Sequence, residues 1–367
     1  MNISTTVRFV CFTILLLPTQ FLAAAQNGLA GAEADAIQAF LRENLTNAGM
    51  VIGLVDERGS RVFAAGKLDN GTRQEVNGDT VFEIGSVTKT FTTLLLVDLV
   101  ERGEIKPDDP VAKYLPESVK VPARDGKQIT LLNLATHTAG LPRDPSNLTP
   151  TRGLPENAFA DYTVEKLYAF LSSITLDREP GSKFEYSNVG MALLGHILAL
   201  KTGTNYEALV VERICRPLKM NSTRITLTPE LQARLARGHD QLGKPAPTWE
   251  FQVYDGAGGL RSTANDLLKY VSANIGLTPS SPTRLMEQTH VIRHKHTSDH
   301  GDTAMAWYDR GEGYQSGMES GTRAQPVVMR HSLALTKINA EASWCYPVGK
   351  EACLPKPLDG FCSEAFG

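Results

Sequence analysis

Phe82-Glu83-Ile84-Gly85-Ser86-Val87-Thr88-Lys89-Thr90-Phe91 sets a serine and a lysine three residues apart. Three residues along a helix is almost one full turn, so Ser86 and Lys89 share a face, an amine beside a hydroxyl. A serine hydroxyl is a weak nucleophile until a neighbour takes its proton, and a lysine does so when burial lowers its pKa. Many helices contain Ser-x-x-Lys by chance, with the serine as a cap and the lysine in water. The residues that follow argue against that here. Phe91, Leu94, Leu95, Leu96, Val97, Leu99 and Val100 make the helix apolar on nearly every side, which predicts a helix buried in the middle of a domain and stopped by Gly103.

Upstream, Ala36, Ile37, Phe40 and Leu41 recur at helical spacing and predict a helix over Glu33 to Asn47. Met50 to Val55 and Arg61 to Ala65 flank Asp56-Glu57-Arg58-Gly59-Ser60, the pattern of a β-hairpin. Downstream, short helices are expected from Asp108-Asp109-Pro110-Val111 and over Thr130 to Thr136, then a long loop rich in Pro, Asn and Thr at 143–160. An amphipathic helix follows at Thr163 to Ser172 with Thr163 as N-cap, and a strongly apolar one at Asn188 to Leu200. Gly256 to Gly259 reads as a flexible turn ahead of a helix that starts near Ser262-Thr263-Ala264.

A second polar group stands at Tyr186-Ser187-Asn188. It offers a phenol that can move a proton and an amide that can hold a carbonyl, although alone it reads equally well as a turn capping the next helix. Taken with Phe82 to Lys89, the chain resembles the serine β-lactamase and penicillin-binding protein superfamily. It is most similar to the class C β-lactamase group, which includes D-alanyl-D-alanine carboxypeptidases and related esterases. The resemblance runs from about residue 30 to about 308. It also rests on Glu101-Arg102-Gly103, Asp108 to Val111, Leu134-Ala135-Thr136-His137-Thr138-Ala139-Gly140-Leu141-Pro142, Arg216-Pro217-Leu218-Lys219-Met220 and Gly258-Gly259-Leu260-Arg261-Ser262-Thr263.

The resemblance implies an α/β (α+β) fold of the β-lactamase/transpeptidase type. A mostly antiparallel sheet flanked by helices would face a helical region at roughly 90–250, with Ser86 between them. It implies that Ser86 is acylated by a β-lactam or a peptidyl-D-alanine carbonyl. Lys89 and Tyr186 would share the proton work, and Asn188 would contact the substrate and Lys89. Which of Lys89 and Tyr186 is the acylation base stays open, as it is disputed across the superfamily. The oxyanion would be held by the Ser86 N–H and one N–H from a late strand. The substrates to expect are β-lactams, D-alanyl peptides of peptidoglycan or short esters, handled by a monomer without cofactor or metal.

Three other features point elsewhere at first sight. Lys201-Thr202-Gly203 spells the family's third motif, but directly after an apolar helix it reads as a C-cap. His137 suggests a catalytic triad, yet a structural helix-to-loop turn explains it. There is no His-Glu-x-x-His and no paired cysteine spacing to support metal chemistry. The net charge of −3 and the lack of a long basic run disfavour nucleic acid. Arg8, the apolar Phe9 to Leu17 and Ala23-Ala24-Ala25 read as a secretory signal, which places the mature protein in the periplasm or outside the cell. Cys215 stands apart in the main body, whereas Cys345, Cys353 and Cys362 crowd the tail, so no disulfide framework is evident.

The family pattern breaks after Ala306-Trp307-Tyr308. A Lys-Thr-Gly or His-x-Gly motif on a strand beside Ser86 is due there, followed by a glycine-rich turn, more strands and a closing helix. The written chain instead gives Gln315-Ser316-Gly317-Met318-Glu319-Ser320-Gly321 and a cysteine-rich tail with little strand alternation. Codon degeneracy offers an explanation. Joining the third base of each codon to the first two of the next, Trp344-Cys345 yields valine without freedom. From Gly321 onward, suitable synonymous codons permit His-Lys-Gly-Thr-Thr-Gly-Gly-Tyr-Ala-Ser, and further on Gly-Phe-Asp-Lys-Asn-Gln-Arg-Arg-Gly-Val-Val-Val-Leu-Ser. This predicts a frameshift between about Tyr308 and Gly321 that removes the central strands and uncovers apolar helix faces. The expected division is a signal peptide at 1–25, a hydrolase domain at 26–310 and an aberrant tail at 311–367. A non-catalytic penicillin-binding sensor, or the inactive product of a disrupted gene, is the competing reading.

Overall fold

The computed structural model describes residues 31, 34–43, 49–148, 157, 159–239, 245–295, 302–309, 314–317, 324–330 and 333–339. The chain divides into two units, Met1–Asn44 with Ala352–Gly367, and Leu45–Glu351. In the first, the described part is helix α1, residues 34–43, in which Ile37 and Leu41 are buried. The proposed signal, the end of the expected first helix and the three tail cysteines lie outside the described residues.

The second unit opens with the expected hairpin, β1 (Met50–Asp56) and β2 (Gly59–Ala65), in register from Met50↔Ala65 to Asp56↔Gly59. Asp56 closes it by accepting from the backbone and guanidinium of Arg58 and from Arg61. Strand β3 (Val81–Glu83) leads into a 3-10 turn, Gly85–Val87, and helix α2 (Thr88–Glu101). Every residue of α2 from Thr88 to Leu99 is buried, as its all-round apolar sequence predicts. A small hairpin follows, β4 (Ala123–Arg124) with β5 (Lys127–Gln128), and then the helices α3 (Leu131–Ala135), α4 (Val164–Ser173), α5 (Asn188–Thr202), α6 (Tyr206–Val210) and α7 (Pro229–Ala233).

Of their N-caps, Thr163 is the one the sequence names outright. Thr130 and Asn133 form a reciprocal capping box on α3, Thr163 caps α4, and Ser187 caps α5 by accepting from Gly190 N–H. Gly203 ends α5 at φ 67°, so Lys201-Thr202-Gly203 is a helix stop. The chain then forms the single turn α8 (Asp255–Gly258), strand β6 (Arg261–Thr263) paired with β3, helix α9 (Ala264–Asn274) capped by Thr263, and α10 (Thr283–Thr289).

Strands β7 (Asp302–Thr303), β8 (Tyr308–Asp309), β9 (Tyr314–Gly317), β10 (Ala324–Arg330) and β11 (Leu333–Asn339) complete an antiparallel sheet in the order β2-β1-β11-β10-β9-β8-β7. This corrects the expectation that the written chain lacks central strands. Val327-Val328-Met329 and Leu333-Ala334-Leu335-Thr336-Lys337-Ile338 hold enough β-branched and apolar residues to pair, whatever frame they arose in. Helix α9 packs on β1 and β11, and α2 packs on α5, α8 and α10. Gly53 on β1 admits α9: a Cβ there would lie 3.0 Å from the Leu268 side chain.

Candidate active site

Ser86 sits in the 3-10 turn between β3 and α2, and the turn is held from both ends. Phe82 pairs with Ser262 across the β3–β6 ladder, and Ile84 N–H donates to Leu260 O at 3.1 Å. Gly85 takes φ 49°, in the left-handed region that a glycine enters without strain. Val87 N–H returns to Ile84 O at 3.2 Å. The result is a partly exposed serine on a buried support.

One turn on, Lys89 is fully buried. Its Nζ donates to Ser86 Oγ at 2.9 Å and to the Ala257 carbonyl at 2.6 Å. Burial, and then the Arg143 guanidinium, hold its pKa well below the ordinary lysine value, while Asp144 pulls the other way. Ala257 reaches Lys89 because α8 is packed tightly. A Cβ on Gly256 would lie 2.9 Å from Gly195 Cα on α5, and Thr92 Oγ1 donates to Gly256 O at 2.7 Å. The small residues at 256–259 therefore serve close packing, not the flexible turn their composition suggests.

The Tyr186 hydroxyl lies 2.8 Å from Ser86 Oγ on the other side. Burial raises its pKa above the ordinary tyrosine value despite the hydrogen bond to Ser86, so the phenol keeps its proton at neutral pH. Lys89 Nζ and the Arg143 guanidinium each lie 5.0 Å from the centre of the Tyr186 ring. The loop after α3 wraps this segment. Ser187 Oγ donates to Pro142 O at 2.7 Å, Asn188 N–H donates to Arg143 O at 2.8 Å, and Asn188 Nδ2 donates to Asp144 Oδ1 at 3.1 Å.

Ser86, Lys89 and Tyr186 thus converge. The expected contact between Asn188 and Lys89 is not made by a hydrogen bond among the described residues: Asn188 Nδ2 donates to Asp144, and the Lys89 amine is directed at Ser86 and Ala257. Asn188 is the first residue of α5, next to the Arg143-Asp144 loop, so its amide N–H meets the Asp144 carboxylate there. His137 stands behind Tyr186, with Ser187 N–H donating to its Nδ1 at 3.1 Å. Strand β10 lies against the Gly85–Val87 turn. It spells Ala324-Gln325-Pro326-Val327-Val328-Met329-Arg330 where the third motif is due.

The sequence missed the Ala257 carbonyl and the Arg143-Asp144 pair. The run of small residues at 256–259 signals the first, since glycines mark close approach as readily as flexibility. Two charges in a loop next to Pro142 signal nothing until α5 is folded against them.

The family model described as "Beta-lactamase" matches residues 37–333. The chain belongs to the β-lactamase family. Among its relatives, the D-alanyl-D-alanine-carboxypeptidase/endopeptidase AmpH of Escherichia coli (strain K12) is 34% identical over 225 residues, covering 61% of this chain and 56% of that protein. A β-lactamase of the same organism is 32% identical over 228 residues, covering 62% and 56%. The chain thus spans little more than half the length of these relatives. A class C β-lactamase from Rhodobacter sphaeroides superposes with a TM-score of 0.70 at 25% identity, over 86% of this chain and 95% of that one. The D-alanine carboxypeptidase AmpC from Burkholderia cenocepacia gives 0.70 at 25%, over 88% and 96%. This β-lactamase-family chain therefore carries the fold of that group, with helices around antiparallel sheets.

Proposed function

We propose that this chain is an exported active-site serine hydrolase that forms an acyl-enzyme at Ser86 with β-lactams or D-alanyl peptides. The observation that carries the reading is Ser86 Oγ held between Tyr186 OH at 2.8 Å and Lys89 Nζ at 2.9 Å. The two flanking groups are pushed in opposite directions. The buried amine resists protonation and the half-buried phenol resists ionisation. That supports Lys89 as the acceptor of the Ser86 proton and Tyr186 as the donor to the leaving nitrogen.

In acylation, Ser86 Oγ adds to the substrate carbonyl as its proton passes to Lys89. The C–N bond then breaks as Tyr186 gives its proton to the nitrogen, and Lys89 returns a proton to Tyr186. In deacylation a water adds to the ester carbonyl, giving up one proton to the dyad, and Ser86 leaves with a proton regained. The Ser86 N–H and an N–H from β10 are the proposed oxyanion donors, and losing one such donor typically costs about 100- to 1000-fold in turnover. The Asn188 amide, steadied by Asp144, is the proposed contact for the substrate's acyl-side carbonyl.

Labelling with a fluorescent penicillin tests the reading. Label on the wild type, lost in Ser86→Ala, is expected. Nitrocefin turnover against D-alanine release from a peptide then separates β-lactamase from peptidase, and a lasting adduct without turnover indicates a penicillin-binding sensor. Among the described residues no helix is long and apolar enough to cross a membrane. Cell fractionation and N-terminal sequencing, with Gln26 expected first, test export.

A second reading, the inactive product of a frameshifted gene, is favoured by one observation. The strand beside Ser86 lacks the third motif, and the codons from Gly321 onward permit His-Lys-Gly in another frame. The nucleotide sequence around codons 308 to 325 decides it. If those codons do not spell the alternate string, the reading is dropped.

A further inference from the structure

We propose that His137 is a positioning residue for Tyr186: a neutral imidazole, bare at Nδ1 and protonated at Nε2, that fastens the main chain on both sides of the phenol and keeps it on Ser86. The proposal rests on the serine hydrolase reading for what the phenol does, but not for what the imidazole does.

Helix α3 ends at Ala135 with Thr136 as its C-cap, and the next residue turns left-handed, with φ 56° at His137. Few residues with a side chain enter that region, histidine and asparagine among them. The turn is pinned by His137 N–H to Leu134 O at 3.3 Å and Thr138 N–H to Asn133 O at 2.9 Å. It presents two acceptors of one residue to the segment before α5. Glu185 N–H donates to His137 O at 2.8 Å, and Ser187 N–H donates to His137 Nδ1 at 3.1 Å. The two amides flanking Tyr186 are therefore tied to a single residue. The imidazole also packs on the Tyr186 ring, centroids 4.7 Å apart, and meets Phe184 edge-on at 5.8 Å.

The tautomer follows from the donor. A backbone N–H can only donate, so Nδ1 must present a lone pair, and the one proton of the neutral ring sits on Nε2. Nε2 is buried and has no hydrogen-bond partner among the described residues. An unpartnered buried N–H is unfavourable, and a plain apolar side chain would avoid it. Histidine at this place makes sense if the acceptor at Nδ1 is what the site requires. Burial first, and then the Lys89 amine whenever it is protonated and the Arg143 guanidinium from the following loop, push its pKa well below the ordinary value. Protonation would also set an N–H against the Ser187 N–H. The phenol is the far end of a lever whose fulcrum is the backbone at 185–187, and misplacement by about 1 Å can cost about 100-fold in rate.

Two measurements on the full chain test this. Long-range proton–nitrogen NMR of the wild type should show His137 bare at Nδ1 and protonated at Nε2, and still neutral at about pH 6.5, where a free imidazole is half charged. The opposite tautomer, or a ring half charged at that pH, overturns the proposal. Acylation rates with a penicillin form the second arm. His137→Asn keeps an acceptor near the Nδ1 position and accepts the left-handed turn, and should stay within about 5-fold of wild type. His137→Leu removes the acceptor and should lose about 100-fold in acylation rate with the substrate KM nearly unchanged. A folded His137→Leu that reacts like wild type, or a His137→Asn as slow as His137→Leu, overturns the proposal. If His137→Leu does not fold, the NMR result and His137→Asn still decide. If the wild type takes no label at Ser86, the hydrolase reading falls, while the tautomer measurement still stands for or against His137.

Discussion

Lys89 has its charge opposed by burial and by Arg143, and partly supported by Asp144. Acylation that needs the neutral amine fails as pH drops through the Lys89 pKa. Removing the cation in Arg143→Gln raises that pKa, so the acid limb of the pH–rate profile moves to higher pH; the shift is modest because Arg143 is more than half exposed and screened by water. Neutralising the acid in Asp144→Asn moves the limb the other way. Opposite displacements of kcat/KM against pH are expected, and equal or absent ones would remove Lys89 as the proton acceptor. Lys89→Arg, which stays charged, should lose about 100- to 10,000-fold in acylation rate, the usual range for a displaced general base. A separate prediction concerns Asp255, whose carboxyl is raised to about 7 by burial and then by Glu207. The folded state then holds a proton that the unfolded chain has released, so stability falls as pH rises from about 4 to about 7. Asp255→Asn should melt at a higher temperature than wild type at pH 8, with the difference shrinking steadily toward pH 4.

Among the elements, the contact between α5 and α8 decides whether Lys89 has a second partner. Gly195 and Gly256 meet backbone to backbone, and a Cβ on Gly256 would also come within 3.1 Å of the Met191 carbonyl. Gly256→Ala should force the turn away from α5, cost about 1–3 kcal/mol in urea unfolding and lower acylation even where the fold survives. Local signals placed the elements well here. Thr130, Thr163, Ser187 and Thr263 each cap the helix that follows, and Gly203 ends α5. Capping and apolar period act within one turn of chain, so they can be read without the rest of the fold. Ser86 and Lys89 were legible for the same reason, one turn apart. Tyr186 was legible only through the family's motif order, because the 100 residues between it and Ser86 carry no local trace of their meeting. The bond from Asn188 Nδ2 to Asp144 was not legible for a related reason: an acceptor on a distant loop leaves no mark on the sequence around Asn188.

The whole molecule turns on what residues 314–339 contribute. The reading of a broken pattern treated departure from the family's motif as loss of strands, whereas pairing needs only extended, β-favouring residues. Motif and strand are separable: β10 lies beside the Ser86 turn without the residues that would make it a substrate edge. If the gene bears out the frameshift, the frame-restored chain, which would carry the third motif beside Ser86, should acylate faster than the written one, measured by stopped-flow with a chromogenic β-lactam; equal rates would show that the motif residues are not needed.

The β1–β11 ladder also has a consequence during synthesis. Met50 pairs with Asn339 and Val55 with Ala334, so one edge of the first hairpin can be covered only after about 270 further residues have left the ribosome. Until then β1, all of whose residues are buried in the finished protein, offers open amides and carbonyls to any other extended chain. A nascent or truncated chain released before residue 333 would carry that open edge through the cell, and aggregation in place of simple inactivity is the fate to expect of it.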